Sequence, residues 1–295
     1  MSTAEKTLLD SSDYTSEVYD LDGLRVLKLF REGRSRDLVE QEFANLRAVN
    51  HCTIPTPKAY ELMECDGRYG FTMEKIRPVT LQRVMEQNPL TLFWVAEKMA
   101  KLHVQMHNSS ISQIPEGVLP DQLEFFEKVI LGSHLFSSME VIRLTSLLRI
   151  LSEHTRKTIC HGDFHSRNIL KDGHHYYIID WPLATLGDPC VDVAATYLAL
   201  NVIGAKEQKN PARELYVKML AKCYLKEHLY LTGQKRDEIF RWMPVCAALF
   251  MVKLEGVCSD AIAPALKDIV DKKLYCNSNT PGCSPHCICQ TKVDT

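Results

Sequence analysis

The sequence predicts an α+β fold with two lobes, a small antiparallel β-sheet with one helix followed by a larger, mainly helical lobe. Two observations carry this prediction. Up to about residue 75, apolar runs are separated by Asp-Gly dipeptides, which favour hairpin turns because both residues tolerate positive φ. From about residue 78 onward, apolar residues instead recur at steps of three and four, the period of an amphipathic helix. The 295 residues suffice for a sizeable core in such an arrangement.

The first lobe, which we assign to residues 1–76, has a mostly strand-like pattern from Thr15 to Lys75. "SEVYDLDGLRVLKLF" is predicted to turn at Asp22-Gly23, and "KAYELMECDGRYGFTMEK" at Asp66-Gly67. The segment between them, "SRDLVEQEFANLRAVN", has the spacing of a single helix that ends before two prolines, its apolar positions being Leu38, Phe43, Leu46 and Val49.

The second lobe, residues 77–275, contains six stretches with helical periodicity. They cover residues 90–107, 121–132, 139–154, 211–230, 235–254 and 259–275. One stretch differs, since "NILKDGHHYYIID" predicts a hairpin at Asp172-Gly173. Residues 276–295 carry small polar residues, four cysteines and no helical period, which is typical of a loosely ordered tail.

Composition and charge exclude several classes of partner. With 35 basic and 37 acidic residues the net charge is -2, so nothing indicates the basic face that nucleic acid requires. No apolar run reaches the ~18 residues of a membrane span, and the polar N-terminus does not resemble a secretory signal, so we expect a cytoplasmic protein without membrane contact. Seven of the 11 cysteines, Cys223, Cys246 and Cys258 among them, stand singly in apolar segments and are predicted to be reduced and buried.

Polar, titratable residues are concentrated in "TICHGDFHSRNILKDGHHYYIIDW". Asp163 and Asn168 lie five residues apart, and Asp180 follows the predicted hairpin. Phosphoryl transfer needs an aspartate that orients and deprotonates the attacking hydroxyl, and an amide oxygen with a second carboxylate that hold magnesium ions. The hairpin would return Asp180 to the loop that carries Asp163 and Asn168, while neighbouring aliphatic residues anchor this loop in the core.

These residues carry a resemblance to a known family. "ICHGDFHSRNIL" and "YIIDWPLATLGDPCVDVA" resemble the paired signature of the aminoglycoside phosphotransferase and choline kinase branch of the protein-kinase-like fold. The resemblance implies that Lys28, in "RVLKLF", holds the nucleotide phosphates and that Glu42 pairs with it. It also implies that backbone groups of Glu74 to Ile76 bind the adenine edge.

The sequence departs from this family at the loop that covers the phosphates. Relatives carry glycine between the first two strands, but "SSDYTSEVYDL" has none before Gly23, so we expect a different or more mobile cover. At the catalytic loop, His165 stands where protein kinases place a lysine, and it is expected to support the loop or touch the γ-phosphate. Arg167 is a candidate for substrate contact.

Several residues have structural alternatives. His161 and His165 form an H-x-x-x-H pair, but the loop sequence between them and the lack of a third ligand disfavour zinc. We predict that Asp188 caps a helix, that Asp192 is buried against the catalytic loop, and that His103 and His107 belong to the core. In the tail, Cys276, Cys283, Cys287 and Cys289 with His286 leave open zinc binding, a disulfide or sensor chemistry, beside the favoured loose order.

Together these observations predict a phosphotransferase dependent on ATP and Mg²⁺, with GTP as an alternative donor, that modifies a hydroxyl of a small molecule. Asp163 is the predicted base, Asn168 and Asp180 are the metal ligands, and the nucleotide residues are Lys28, Glu42, Glu74 and Ile76. By the architecture of the family that the sequence resembles, the lack of a long activation segment after Asp180 implies a small acceptor and not a protein. The alternative is a catalytically weak, nucleotide-binding or regulatory protein with the same fold.

The sequence does not identify the acceptor. In the family that it resembles, substrate choice lies in the second lobe, which corresponds here to 110–140 and 205–260. An acidic lining of the cleft would suit a cationic acceptor, and the candidate lining residues are Glu124, Tyr224, Trp242 and Glu255.

Overall fold

A five-stranded antiparallel sheet forms the first part of the chain. The structure, a computed structural model, describes residues 7–10, 15–76, 79–153, 156–256 and 261–274. The sheet has the strand order β1-β2-β3-β5-β4, and helix α1 (Arg36–Val49) is inserted between β3 and β4. Its strands are β1 (Thr7–Asp10), β2 (Ser16–Asp20), β3 (Arg25–Phe30), β4 (Ala59–Cys65) and β5 (Arg68–Glu74). The predicted small sheet with one helix is therefore confirmed.

The two Asp-Gly dipeptides of this sheet form different turns. Asp66 and Gly67 are a two-residue turn between β4 and β5, with φ of 52° and 71°, as the sequence predicts. Asp22-Gly23 lies instead in a longer loop, since β2 ends at Asp20 and β3 begins at Arg25. There the Asp22 carboxylate accepts hydrogen bonds from the N–H groups of Leu24 and Arg25, so that the side chain closes the loop.

The first strand was not apparent in the sequence. All four residues of β1 are exposed, including Leu8 and Leu9, so the strand lacks the alternation that marks a half-buried strand. Its pairing with β2 makes Arg25–Phe30 the third strand of the sheet, where the family resemblance places the nucleotide lysine.

The second part of the chain is mainly helical. A short strand, β6 (Val79–Thr80), precedes it, and two small antiparallel sheets, β7 with β10 and β6 with β8 and β9, carry its loops. The helices are α2 (Leu81–Gln87), α3 (Leu92–His107), α4 (Gln122–Leu131), α5 (Ser138–Ser152), α6 (Pro189–Leu198), α7 (Pro211–Thr232), α8 (Arg236–Phe240), α9 (Met243–Lys253) and α10 (Ile262–Leu274). The strands are β7 (Thr158–Cys160), β8 (Ile169–Asp172), β9 (His175–Ile178) and β10 (Thr185–Gly187). The predicted hairpin between Asn168 and Asp180 is confirmed.

The helix predicted over 235–254 is interrupted, so that prediction was wrong in its extent. Helix α8 ends at Phe240 and α9 begins at Met243. Pro244 lies in the first turn of α9, where its missing N–H has no cost. In a continuous helix its ring would clash with the carbonyl of Phe240, four residues earlier, which explains the break. The last residue of α9 is Lys253.

The two parts of the chain are joined beside β9. Ile178 donates its N–H to the Pro55 carbonyl at 2.7 Å, and the Thr56 hydroxyl donates to the Ile178 carbonyl at 2.8 Å. The buried Trp181 indole donates to Thr56 Oγ1 at 3.1 Å. These contacts hold the segment before β4 against the strand that leads to Asp180. Within the part of the chain that the structure describes, every helix is too short or too polar to pass through a lipid bilayer.

Candidate active site

Lys28, Glu42 and Asp180 meet at the boundary between the two parts. Lys28 Nζ lies 2.7 Å from Glu42 Oε1 on α1 and 2.5 Å from Asp180 Oδ1. Burial of the ammonium disfavours its charge, but the two carboxylates outweigh burial and raise the pKa of Lys28 above its usual value. The lysine is therefore charged and is held between two carboxyl groups.

The hairpin brings Asp180 back to the loop with Asn168. Ile179 donates its N–H to the Asn168 carbonyl at 3.0 Å, and Asp180 follows with a left-handed φ of 64°. The Asn168 amide donates through Nδ2 to the Asp163 carbonyl at 3.0 Å. Since Nδ2 is used in this way, the amide oxygen is the atom that Asn168 can offer to a cation. Asp163, Asn168 and Asp180 thus belong to one hydrogen-bonded unit.

His161 connects the two ends of this unit. It is buried, its Nε2 donates to the Ile179 carbonyl at 2.9 Å, and its Nδ1 accepts from the Asp163 N–H at 3.2 Å. This pattern assigns the proton to Nε2. Burial lowers the pKa of His161, so that the neutral form is favoured. Both ring nitrogens are occupied by backbone groups, which agrees with the preference against a zinc pair with His165.

Asp192 holds the start of the same loop. Its buried carboxylate accepts from the His161 N–H at 2.6 Å and the Gly162 N–H at 2.8 Å. The Nε2 atoms of His103 and His107 lie 3.0 and 3.3 Å from the same group. Burial opposes the charge, but hydrogen bonds and attraction from the histidines keep the pKa of Asp192 well below its usual value. The prediction that Asp192 is buried against the catalytic loop is confirmed.

The two helix histidines are part of the core, as predicted. His103 is fully buried, stacks on Phe164 with ring centroids 4.0 Å apart, and contacts the Tyr224 hydroxyl through Nδ1 at 2.5 Å. Burial lowers the pKa of His103 to about 3, which leaves the ring neutral at physiological pH. His103, His107 and Asp192 lie close enough to share a metal ion. Their polar atoms already bond one another and the loop, so the arrangement has a purely structural explanation.

Asp188 also has the structural role that the sequence predicts. Its Oδ1 accepts from the Cys190 N–H at 2.7 Å and caps α6, whose first residue is Pro189.

Asp163 has different surroundings from Asp192. Its side chain is 24% exposed, and Oδ2 lies 2.9 Å from Nζ of Lys253, the last residue of α9. Oδ1 lies 3.7 Å from His165 Nε2. Burial alone would raise the pKa of Asp163, but Lys253 and then His165 lower it below its usual value. Sequence reasoning missed Lys253, because no local pattern connects it to a loop so distant in the chain.

The predicted adenine-binding residues lie at the end of β5. The N–H groups of Glu74 and Lys75 donate to the carbonyls of Lys58 and Leu24, each at 2.8 Å. Of its backbone groups, Glu74 can therefore offer only the carbonyl to a ligand. The Ile76 N–H donates to no backbone carbonyl among the residues that the structure describes. Along the sheet, Glu74 pairs with Arg25, three positions from Lys28 in the same strand.

The predicted lining of the acceptor cleft is corrected in part. Tyr224 and Trp242 are buried in the core, where they cannot line an open cleft. Glu124 is exposed on α4, and Glu255 pairs with His134 at 2.8 Å. Cys246 is buried and Cys223 half-buried, both as free thiols. Cys258, the cover-loop residues 11–14 and the tail from 276 to 295 lie outside the described residues.

Comparison with known proteins gives a family match over most of the chain. The model of the "Phosphotransferase enzyme family" matches residues 7–220. Among curated proteins, mouse "Acyl-CoA dehydrogenase family member 10" is 25% identical in an alignment of 181 residues that covers 56% of this chain. The chain spans only 17% of the length of that relative.

Solved structures share the fold at low sequence identity. Aminoglycoside phosphotransferase APH(4)-Ia, a thermostable mutant in a ternary complex with ADP and hygromycin B, has a TM-score of 0.65 and 16% identity, over 94% of this chain and 95% of that one. A choline/ethanolamine kinase family protein from Mesorhizobium loti has a TM-score of 0.57 and 14% identity, over 93% and 89%. The ethanolamine kinase of Plasmodium vivax has a TM-score of 0.55 and 13% identity, over 93% and 83%. The predicted protein-kinase-like fold is thereby confirmed.

Proposed function

The chain belongs to the phosphotransferase enzyme family, and on this premise we propose that it transfers the γ-phosphoryl group of ATP to a hydroxyl of a small molecule. One observation carries the proposal, the hydrogen-bonded unit of Asp163, Asn168 and Asp180 that reaches Lys28 through the Lys28–Asp180 ion pair. A general base, two oxygen ligands and a phosphate-binding cation are the groups that this reaction requires.

Lys28 is the proposed contact for the nucleotide phosphates. Its pairing with Glu42 restrains the flexible side chain, and its second partner, Asp180, is one-third exposed. A bound nucleotide would offer phosphate oxygens to the ammonium in place of this exposed carboxylate. The adenine edge would use the Glu74 carbonyl and the Ile76 N–H, the backbone groups that β-sheet pairing leaves to it. ADP accompanies the similar APH(4)-Ia structure, which supports nucleotide binding.

Asn168 and Asp180 are the proposed ligands of Mg²⁺. An amide oxygen and a carboxylate are hard donors of the kind that this ion prefers, and no sulfur or imidazole belongs to the set. When bound, Mg²⁺ neutralises charge on the phosphates. Once Asp180 ligates the metal, it no longer needs Lys28 as its partner, so metal and nucleotide binding are expected to support each other.

Asp163 is the proposed base. The acceptor hydroxyl oxygen forms a bond to the γ-phosphorus, the bond from this phosphorus to the β–γ bridging oxygen breaks, and the hydroxyl proton passes to the Asp163 carboxylate. The lowered pKa of Asp163 keeps the carboxylate ionised at neutral pH, as the first step requires. ADP and the phosphorylated acceptor are the products.

The proposal is tested with ATP, Mg²⁺ and a panel of alcohols including aminoglycosides, choline, homoserine and sugars. We expect Asp163→Asn to lower kcat by about 10²- to 10⁴-fold for whichever acceptor is used, since it removes a general base. Nucleotide affinity should remain, because the Lys28 cluster is untouched. Asp172→Asn, at an exposed residue of the β8–β9 hairpin, is the matched control.

Two results would count against this assignment. Unchanged turnover in Asp163→Asn would show that Asp163 is not the base. Magnesium-dependent nucleotide binding without turnover of any alcohol would favour the alternative, a regulatory protein that keeps the fold.

A further inference from the structure

Lys253 brings a cation to the proposed base from a distant helix. Its Nζ lies 2.9 Å from Asp163 Oδ2, and its side chain remains 36% exposed. The Phe250 ring, one turn earlier in α9, lies 5.8 Å from the same ammonium. The lysine is thus directed to the base but is still open to solvent on one side, so a ligand can reach it.

The ion pair is unfavourable for a base that acts alone. The ammonium occupies Oδ2 of the carboxylate that would accept the proton of the acceptor, because Lys253 Nζ lies 2.9 Å from this oxygen. The conflict disappears if the ammonium turns to another anion when the substrates bind. Replacing one carboxylate by another on a partly exposed lysine costs little free energy.

We infer that the acceptor is a small alcohol that also carries an oxyanion, a carboxylate or a phosphate, and that Lys253 binds this oxyanion while Asp163 receives the hydroxyl proton. This inference rests on the proposed function. It assigns Lys253 as a catalytic residue in direct contact with a substrate.

The geometry limits the size of this acceptor. A hydrogen bond spans about 2.8 Å. With Lys253 Nζ near its observed position, 2.9 Å from Asp163 Oδ2, a hydroxyl at Asp163 and an oxyanion at Lys253 would lie within roughly 8 Å of each other. Short hydroxy acids and hydroxyalkyl phosphates satisfy this limit in a single extended chain.

The charge of the surroundings supports an anion over a cation. Burial lowers the pKa of His165, and His161, Lys253 and then Arg167 add to this effect, so Arg167 is a second cation of this region. Arg167 is exposed beside the catalytic loop. A cationic acceptor at Asp163 would be repelled by Lys253, whose ammonium lies 2.9 Å from this carboxylate. The γ-phosphate of ATP is another oxyanion within the same reaction that Lys253 can bind. The experiment distinguishes this contact from one with an oxyanion of the acceptor.

The test compares acceptors that differ in charge alone. Short hydroxy acids and hydroxyalkyl phosphates are each assayed beside an uncharged amide or ester analogue, together with choline and hygromycin B. In parallel, a polar metabolite extract is incubated with ¹⁸O-labelled ATP, and labelled products that depend on Asp163 are identified by mass. We expect phosphorylated acceptors to be anionic before reaction, and their uncharged analogues to be at least about tenfold poorer.

Variants of Lys253 then assign the contact. Lys253→Met should raise the KM for the acceptor about 10- to 100-fold, the loss expected of a charge-assisted hydrogen bond, and leave the KM for ATP unchanged. Lys253→Arg should recover part of the loss. Lys222→Met, at an exposed lysine of α7, should match the wild type.

Three outcomes would overturn the inference. Better turnover of uncharged or cationic alcohols excludes an anionic acceptor. A raised KM for ATP or a lower kcat in Lys253→Met, with the acceptor KM unchanged, assigns the contact to the transferring phosphoryl group. Absence of any Asp163-dependent product from both the panel and the extract contradicts the proposed function itself, a result distinguishable from the other two.

Discussion

Two aspartates at the same loop, Asp192 and Asp163, are stabilised in opposite ways. Asp192 is 1% exposed and receives hydrogen bonds from two backbone N–H groups and two histidines. Asp163 is 24% exposed, and its closest side-chain partner is the ammonium of Lys253. The first has only fixed protein donors, whereas the second has a partner that a ligand can replace. The comparison indicates that Asp192 supports the loop and that Asp163 is the carboxylate available for reaction.

The two aspartates differ in the groups that compensate for burial. In both cases desolvation opposes the negative charge, and other groups must outweigh it to keep the pKa low. At Asp192 this is achieved by charge attraction from His103 together with hydrogen bonds from His103 and His107, two side chains that are buried in the core. At Asp163 it is achieved mainly by one mobile cation, so the state of the base can change when a substrate binds.

The largest expected effect is at Asp192. Asp192→Asn removes the charge and turns one acceptor into a donor, which leaves buried N–H groups of His161 or His103 unpaired. We expect a loss of about 3–5 kcal/mol in the free energy of unfolding, measured by urea denaturation, as for a broken buried charge network. Asp268→Asn, in the exposed pair with Lys272, should change it by less than about 1 kcal/mol. Equal effects in the two variants would contradict the supporting role of Asp192.

An intermediate effect is expected at Gly162, between the two carboxylates. Its φ is 77°, and a Cβ there would lie 2.7 Å from the Leu183 carbonyl oxygen. Gly162→Ala should therefore combine backbone strain with displacement of the loop and cost about 3 kcal/mol in the free energy of unfolding.

Gly173 provides the matched control for this prediction. It has a similar φ of 57°, but a Cβ there would meet no atom within 4 Å. Gly173→Ala should thus cost only the strain, about 1 kcal/mol. If urea denaturation gave the same loss for both, close packing at Gly162 would not be what holds the loop.

Much of the site could be predicted because its spacing is local. The pairing of Ile169 with Ile178 in the β8–β9 hairpin determines how Asp180 returns to Asn168, and both strands have clear apolar patterns around Asp172-Gly173. The turn at Asp66-Gly67 and helix α1 are local in the same sense. Short-range periodicity and turn chemistry are sufficient for such elements.

The rest depends on long-range packing, which leaves no local signal. The contact of Lys253, at the end of α9, with Asp163 joins residues far apart in the chain, and the periodicity over 235–254 gives no sign of it. The buried positions of Tyr224 and Trp242 likewise follow from how whole helices pack. Aromatic residues on an amphipathic helix are compatible with either a core or a cleft.

The smallest expected effect is a change in the pKa of Asp163. It tests whether this carboxylate, unlike Asp192, depends on a cation that a ligand can replace. The base must be ionised, so kcat/KM falls as the pH drops through the pKa of Asp163 in the free enzyme. Lys253 lowers this pKa against the effect of burial. In Lys253→Met burial is less opposed, the pKa rises, and the acidic limb of the pH profile should move to higher pH by about one unit.

If Lys253 had only a structural role, Lys253→Met would lower kcat/KM by the same factor at every pH and leave the acidic limb of the profile in place. The control Lys222→Met should change neither the acidic limb nor the rates. The free energy of unfolding of Lys253→Met should change by less than about 1 kcal/mol, because the pair is partly exposed. A limb that stays in place, or moves to lower pH, would show that the ammonium does not control the base. In that case Asp163 would resemble Asp192, with its ionisation determined by fixed groups of the loop.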